Sequence, residues 1–410
     1  MKTLGIGGST IEVELAAIKP MAYLAKAIEQ HEFKTRLTNA ISLMKKEGAA
    51  ALYVHAGTNL FYFTGTKWNS SERMVGALIL PNGKVHYVAP EFERGTILDF
   101  MGVEGVIEGW EEHESPYELF VSILKENGIT NGYIAIDEAT PFFIVDGINK
   151  LNTQFNLVNA KTITAGCRMI KSQAEIDIIQ IAMDITMKVQ QAAARILHIG
   201  ISTQEVTDFI HEAHIRYGAP NGSYFCIVLF GVDSSFPHGV KAPNDLAEND
   251  VVLIDTGCSL HDYISDITRT YVFGKPNEEQ TKIWNLEKET QLAAFEAAQL
   301  GDKCEEIDNA SRKTLEASGL GPDYKLPGLP HRTGHGLGLD IHEWPYIVRN
   351  DNTILESGMV FSIEPMICVP NKFGIRLEDH VYMTEDGPSW LTLPAYSIED
   401  PFGVAIEMIA

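Results

Sequence analysis

Cysteine is scarce in this chain: Cys167, Cys226, Cys258, Cys304 and Cys368 are the only five among 410 residues, and no C-x-x-C pair occurs. An odd, unframed set excludes a disulfide scaffold and fits reduced thiols in a cytoplasmic protein. Each cysteine stands among apolar or small residues, so packing is the expectation for all of them. Positive charge is also short, with 32 Lys and Arg against 55 Asp and Glu and a net charge of −23. Phosphate binding needs clustered Lys and Arg, which excludes nucleic acid as a partner. No apolar run reaches transmembrane length, so no membrane association is expected. Met1 to Leu15 does not have the form of a secretory signal. Low-complexity segments and long linkers are missing as well. What is present, 45% hydrophobic and 21% charged residues, describes an ordinary globular chain long enough for two domains.

Periodicity divides the chain. Glu29 to Lys46 reads as an amphipathic helix with Phe33, Leu37, Ala40, Ile41 and Met44 on one face. Strands are predicted at Ala49–Val54, Gly76–Leu80, Val85–Ala89 and Ile134–Asp137, and a helix at Pro116–Glu126. This α/β material fills a first domain, residues 1–165. In the second, residues 166–410, Ser172 with Glu175 has the form of a capping box opening a long helix to Leu197. A helix over Thr203–Tyr217 and strands at Ser223–Leu229, Val251–Asp255 and Tyr271–Phe273 follow. Helices at Glu278–Leu300 and Cys304–Ser318 then lead to strands at Val360–Ile363, Ile375–Leu377 and Val381–Thr384. Helix-helix-strands thus occurs twice, an order compatible with internal duplication. The fold class is α+β.

The informative residues lie between Val251 and Glu378. Asp255, Asp266, Glu364 and Glu378 each interrupt or end a run of β-formers, where a carboxylate is otherwise disfavoured. Four such groups repel one another unless cations neutralise them, and two divalent ions balance their charge. His335 sits in T-G-H-G-L-G-L, where flanking glycines permit close backbone approach and leave the imidazole available. His331 and His342 stand in the neighbouring sequence, and His238 lies upstream in Phe236-Pro237-His238-Gly239. Singly, the aspartates could be turn residues, Glu364 a strand end and Glu378 a salt-bridge partner of Arg376. Jointly they suit a hard, oxygen-rich site for Mn²⁺, with Co²⁺, Zn²⁺ or Fe²⁺ acceptable. Two ions about 3.5–4 Å apart could share bridging carboxylates and a hydroxide nucleophile, which is equipment for hydrolysing an amide.

In order, Asp255, Asp266, His335, Glu364 and Glu378 resemble the metal ligands of the pita-bread metallopeptidases, peptidase family M24. H-R-T-G-H-G-L-G-L-D-I-H-E and F-S-I-E-P…G-I-R-L-E-D are most similar to the Xaa-Pro branch, prolidase and aminopeptidase P. R-L-T-N-A-I-S-L-M-K-K-E-G-A-A-A-L-Y-V and N-L-F-Y-F-T-G resemble that branch's first domain. The resemblance implies a creatinase/prolidase-like first domain, a pita-bread catalytic domain, two divalent ions and a homodimer. It implies an Xaa-Pro dipeptidase acting on small peptides, with aminopeptidase P, an ectoine hydrolase-like or creatinase-like enzyme, or an inactive binding protein as alternatives. It assigns Glu364 the proton from the attacking water, His238 and His342 contacts to substrate and intermediate, His331 the proline-side pocket, and Arg376 a place near Glu378 and the substrate. One departure stands out: Cys368 occupies the position of a tyrosine common in E-P-G-I-Y-I-P, and a thiol is a weaker donor.

Overall fold

The computed structural model describes residues 3–151 and 154–407. The chain forms two compact units: Ile28–Arg168, and Met169–Ala410 together with Met1–Ala27. The leader therefore does not belong with the first domain, as 1–165 implied. Its helix Ile11–Ala17 carries Glu14, which takes both Arg195 Nε and Nη2 at 3.0 and 2.7 Å. Its backbone bonds from Leu4 N to Glu399 O and from Gly7 N to Ala194 O measure 2.7 and 2.9 Å. These pairings satisfy backbone groups that would otherwise stand alone.

The unit Ile28–Arg168 is built on a six-stranded mixed sheet in the order Val106–Trp110, Val85–Pro90, Gly76–Ile79, Ala51–His55, Gly132–Ile136, Phe155–Asn159. The helix Gln30–Glu47 ends at Gly48, whose φ of 75° is the left-handed conformation glycine adopts freely. The two outer strands, Val106–Trp110 and Phe155–Asn159, escape the sequence reading. Only one residue of each is buried, so neither shows the apolar signal of the central strands.

In the second unit the helices Gln173–Ile196, Thr203–Tyr217 and Glu278–Ala297 each open on a full capping box, at Ser172/Glu175, Ser202/Glu205 and Asn277/Gln280. Each cap contributes about 0.5–2 kcal/mol and fixes where its helix starts. One sheet places Val251–Leu260 between Ile267–Val272 and Ser223–Phe230, with the short Tyr263–Ile264 paired to it. A five-stranded sheet runs Glu343–Ile347, Gly334–Gly336, Val360–Ile363, Asp379–Thr384, Gly387–Trp390, and Met366–Val369 pairs with Phe373–Arg376. Leu229, Val251, Leu253, Trp284, Ile367 and Ile375 share one buried core cluster beneath these strands. His335 lies in the three-residue strand Gly334–Gly336. A Cβ on Gly334 would collide with the Ser362 carbonyl, so glycine is what lets this strand approach its neighbour. Among the described residues no helix is long and apolar enough to cross a membrane.

Candidate metal centre

Asp255 stands inside the strand Val251–Leu260, and its cross-strand neighbours are Thr268 and Ile227. Asp266 lies where Tyr263–Ile264 hands over to Ile267–Val272. The chain between the two aspartates folds back tightly: a Cβ on Gly257 would strike the Ser265 carbonyl. Gln190, from the long helix, donates to Ile254 O and Ile267 O, both at 2.9 Å. One amide thus braces the residue before Asp255 and the residue after Asp266. Glu364 follows Val360–Ile363, and Glu378 is in the link between Phe373–Arg376 and Asp379–Thr384. One strand interior and three strand ends therefore deliver acids to one place.

There, one ligand atom each from Asp266, His335 and Glu378 lie within 4.8 Å of one another, and all three residues are buried. His335 Nε2 is 3.0 Å from Glu364 Oε1 and 3.7 Å from Asp266 Oδ2. His335 Nδ1 faces Gly336 O at 3.0 Å. A carbonyl only accepts, so Nδ1 carries a proton and Nε2 is the nitrogen turned toward the acids. Glu378 Oε2 accepts from Thr268 Oγ1 at 2.6 Å, and Asp255 Oδ2 accepts from Arg376 Nη2. The other oxygen of each, together with Asp266 Oδ1, is buried without a donor. Unpaired buried carboxylate oxygens are costly. This donor set, oxygen-rich with one imidazole, fits divalent cations.

Electrostatics give the same picture. Burial, then the charges of Glu378, Asp255 and Glu364, hold the Asp266 carboxyl well above the usual range. Burial, then Glu364 and Asp255, do the same to Glu378. Burial also pushes Glu364 up, but His335 beside it prevails and leaves its carboxyl low. Acids that repel in this way act as a cation trap.

The surrounding residues divide by contact. The His342 ring stands 4.1 Å from that of His335, with one side open to solvent; burial of the other side, then His335, push its imidazole down to about 4. His331 Nδ1 faces Arg332 O at 2.7 Å, and its buried Nε2 has no partner. His238 is exposed on the loop after Ser223–Phe230, and its charge acts on both His331 and His342. Arg376 is buried and engaged: besides Asp255 it donates to Thr268 Oγ1 at 3.0 Å and to Pro237 O at 3.4 Å. Its guanidinium thus positions Asp255 and Thr268. Cys368 lies in the core cluster, and burial pushes its thiol up to about 12, which removes it as a nucleophile.

The sequence reading missed several groups. Thr268 links Arg376 to Glu378, and Ser362 Oγ accepts from His335 N at 2.9 Å while donating to Glu364 Oε1 at 3.2 Å. Each stands two residues from a carboxylate of the set, the spacing of one strand face, and that is the signal that could have found them. His380 is buried with its ring 6.1 Å from that of His335, and burial first pushes it down to about 3.

Comparison with known proteins agrees with the geometry. Residues 177–385 match Metallopeptidase family M24, and residues 36–170 match the Creatinase/Prolidase N-terminal domain. The Bacillus subtilis (strain 168) protein named "Putative dipeptidase YkvY" is 33% identical over 358 residues, 87% of this chain and 97% of that one. The solved dipeptidase PepE of Mycobacterium ulcerans superposes with a TM-score of 0.82 at 28% identity, covering 90% of this chain and 97% of PepE. The prolidase of Thermococcus sibiricus gives 0.79 at 29% identity, covering 90% and 98%. With a creatinase/prolidase-type first unit and a pita-bread catalytic unit, this chain belongs to metallopeptidase family M24.

Proposed function

We propose that this M24 hydrolase is an Xaa-Pro dipeptidase, taking small peptides that end in proline. The observation that carries the reading is the approach of Asp266, His335 and Glu378 to within 4.8 Å, with orphaned oxygens on Asp255, Asp266 and Glu378. The residues that would hold two divalent cations are Asp255, Asp266, His335, Glu364 and Glu378. Mn²⁺ matches four carboxylates and one imidazole, and Co²⁺, Zn²⁺ or Fe²⁺ are compatible. When bound, such ions polarise a carbonyl oxygen and make water nucleophilic at neutral pH.

The chain's own groups divide the remaining work. Glu364, kept ionised by His335 and oriented by Ser362, accepts the proton of the attacking water. His342, neutral near pH 7, donates to the carbonyl oxygen as it gains charge. His238, on the exposed loop, supports the same oxygen and the departing prolyl nitrogen, which leaves once protonated. His331 offers its buried Nε2 to the proline side of the cleft. Proline has no N–H to satisfy and a restricted shape, so a dedicated pocket can select it.

The test is proline release from Ala-Pro, Leu-Pro and a matched Xaa-Pro-Xaa tripeptide, with Mn²⁺ and after chelation. The expected result is chelator-sensitive cleavage confined to the dipeptides and restored by Mn²⁺. Tripeptide cleavage reassigns the enzyme to the aminopeptidase P type. Silence on every peptide with two ions bound defeats the proline reading.

A further inference from the structure

The cations near the metal centre are almost all committed to carboxylates. Arg376 pairs with Asp255, Arg269 with Asp379, Arg312 with Asp308, Lys171 with Glu343, and Arg349 with Asp323. Arg332 is different. It has no carboxylate partner among the described residues, and its guanidinium lies over the Tyr346 ring, 4.5 Å from the centroid. Tyr346 is the cross-strand partner of His335. Directly opposed residues share a sheet face, so the ring and the arginine on it stand beside the imidazole of the metal cluster. Trp344 closes another side, its ring edge-on to Tyr346 with centroids 4.4 Å apart. Arg332 is half-buried, and its charge reaches His342. Its own carbonyl fixes His331. One residue thus borders two of the histidines assigned to the substrate side, His331 and His342.

A guanidinium stacked on an aromatic ring is held in one plane with its N–H edge free, which is the geometry that takes a carboxylate through two parallel bonds. A half-buried cation without a partner is costly, and an anionic ligand removes that cost. A dipeptide differs from a longer peptide in carrying a free carboxylate one residue beyond the scissile carbonyl, close to the reacting atoms. We propose that Arg332, stacked on Tyr346, binds the C-terminal carboxylate of the substrate and so confines the enzyme to dipeptides. The assignment rests on the dipeptidase reading, and lysine would not replace arginine fully, because a point charge lacks the planar fork.

The metal-loaded enzyme is assayed on Ala-Pro and on Ala-Pro amide, which differ only in that carboxylate, and the ratio of their kcat/KM values is read. The native chain favours the acid by about tenfold to a hundredfold, the range of a charge-assisted hydrogen bond. In Arg332→Gln the ratio collapses toward one, mostly through KM for the acid, and Arg332→Lys falls between. A support role in the sheet would lower both rates together and leave the ratio intact, so a ratio preserved in Arg332→Gln overturns the assignment while the dipeptidase reading stands. A native enzyme that takes acid and amide equally overturns both.

Discussion

His331 and His335 each place Nδ1 against a backbone carbonyl, of Arg332 and Gly336, at 2.7 and 3.0 Å. Each is thereby held with Nε2 turned away from the main chain, and that orientation is set by backbone, which mutation of neighbouring side chains leaves in place. The carboxylates carry the opposite character, because their oxygens are placed before their partners arrive. Glu378→Gln separates these effects. It removes a buried charge but keeps an oxygen for Thr268, so the chelated variant melts above the chelated native chain. With Mn²⁺ the order reverses, and the variant loses at least roughly a hundredfold in metal affinity, beyond what is typical for groups that only hydrogen-bond a ligand. Thermal melts with chelator and with Mn²⁺ test the crossover. Two parallel decreases would show that Glu378 is not a source of repulsion. Asp255, Asp266, Glu364 and Glu378 were legible in the sequence because a carboxylate in a β-forming run is anomalous. Thr268 and Ser362 were not, because threonine and serine are unremarkable in strands and only register brings them to the acids.

The strands that deliver the ligands are held by a second, buried set of polar contacts. Asp379 Oδ1 accepts from Arg269 Nη2 at 2.7 Å and Thr392 Oγ1 at 2.6 Å, and its Oδ2 from Gln291 Nε2 at 3.0 Å. Arg269 Nη1 reaches on to Glu378 O at 2.8 Å. On the other side, Asp308 takes Arg312 Nε and Thr333 Oγ1, both at 2.8 Å, and Arg312 Nη2 donates to His331 O at 2.7 Å. Asp379→Ala leaves Arg269 buried with no counter-charge and is expected to cost about 3–5 kcal/mol. Asp379→Asn, which keeps the accepting oxygen, costs less. Denaturant unfolding of the metal-free proteins measures both, and equal losses would place the effect in packing. At this scale the sequence was most informative for helices, whose caps and periodicity are local. It was least so for Gly334–Gly336, where glycine carries no β-forming signal and the strand exists only because Val360–Ile363 and Glu343–Ile347 flank it.

For the whole molecule, metal and pH are linked. Asp266 and Glu378 hold their protons more tightly folded than unfolded, first through burial and then through neighbouring acids. From the ordinary carboxylate range, about pH 4, up to those raised values, the folded chain binds more protons than the unfolded one. Metal-free stability from this pair therefore falls as pH rises through that window. Glu364 has the opposite sign: His335 keeps it low against burial, so its contribution is present above the ordinary glutamate value and lost on acidification. Cations replace the protons on the first two groups and cancel their slope. The Tm difference between Mn²⁺-loaded and chelated protein should widen as pH rises from the ordinary carboxylate range, about pH 4, as melts from acid to neutral pH would record. A constant difference would mean that the acids do not repel as the geometry requires.

The leader that packs with the second unit also sets an order in time. Ile28–Arg168 is contiguous and is complete on the ribosome once Arg168 has been made. Leu4 bonds to Glu399, so that contact waits until Glu399 has been made. Between those events the acids appear one by one, and Glu378 closes the set. A nascent chain halted before that residue holds an unfinished cluster, so the whole ligand set exists only once Glu378 has been made.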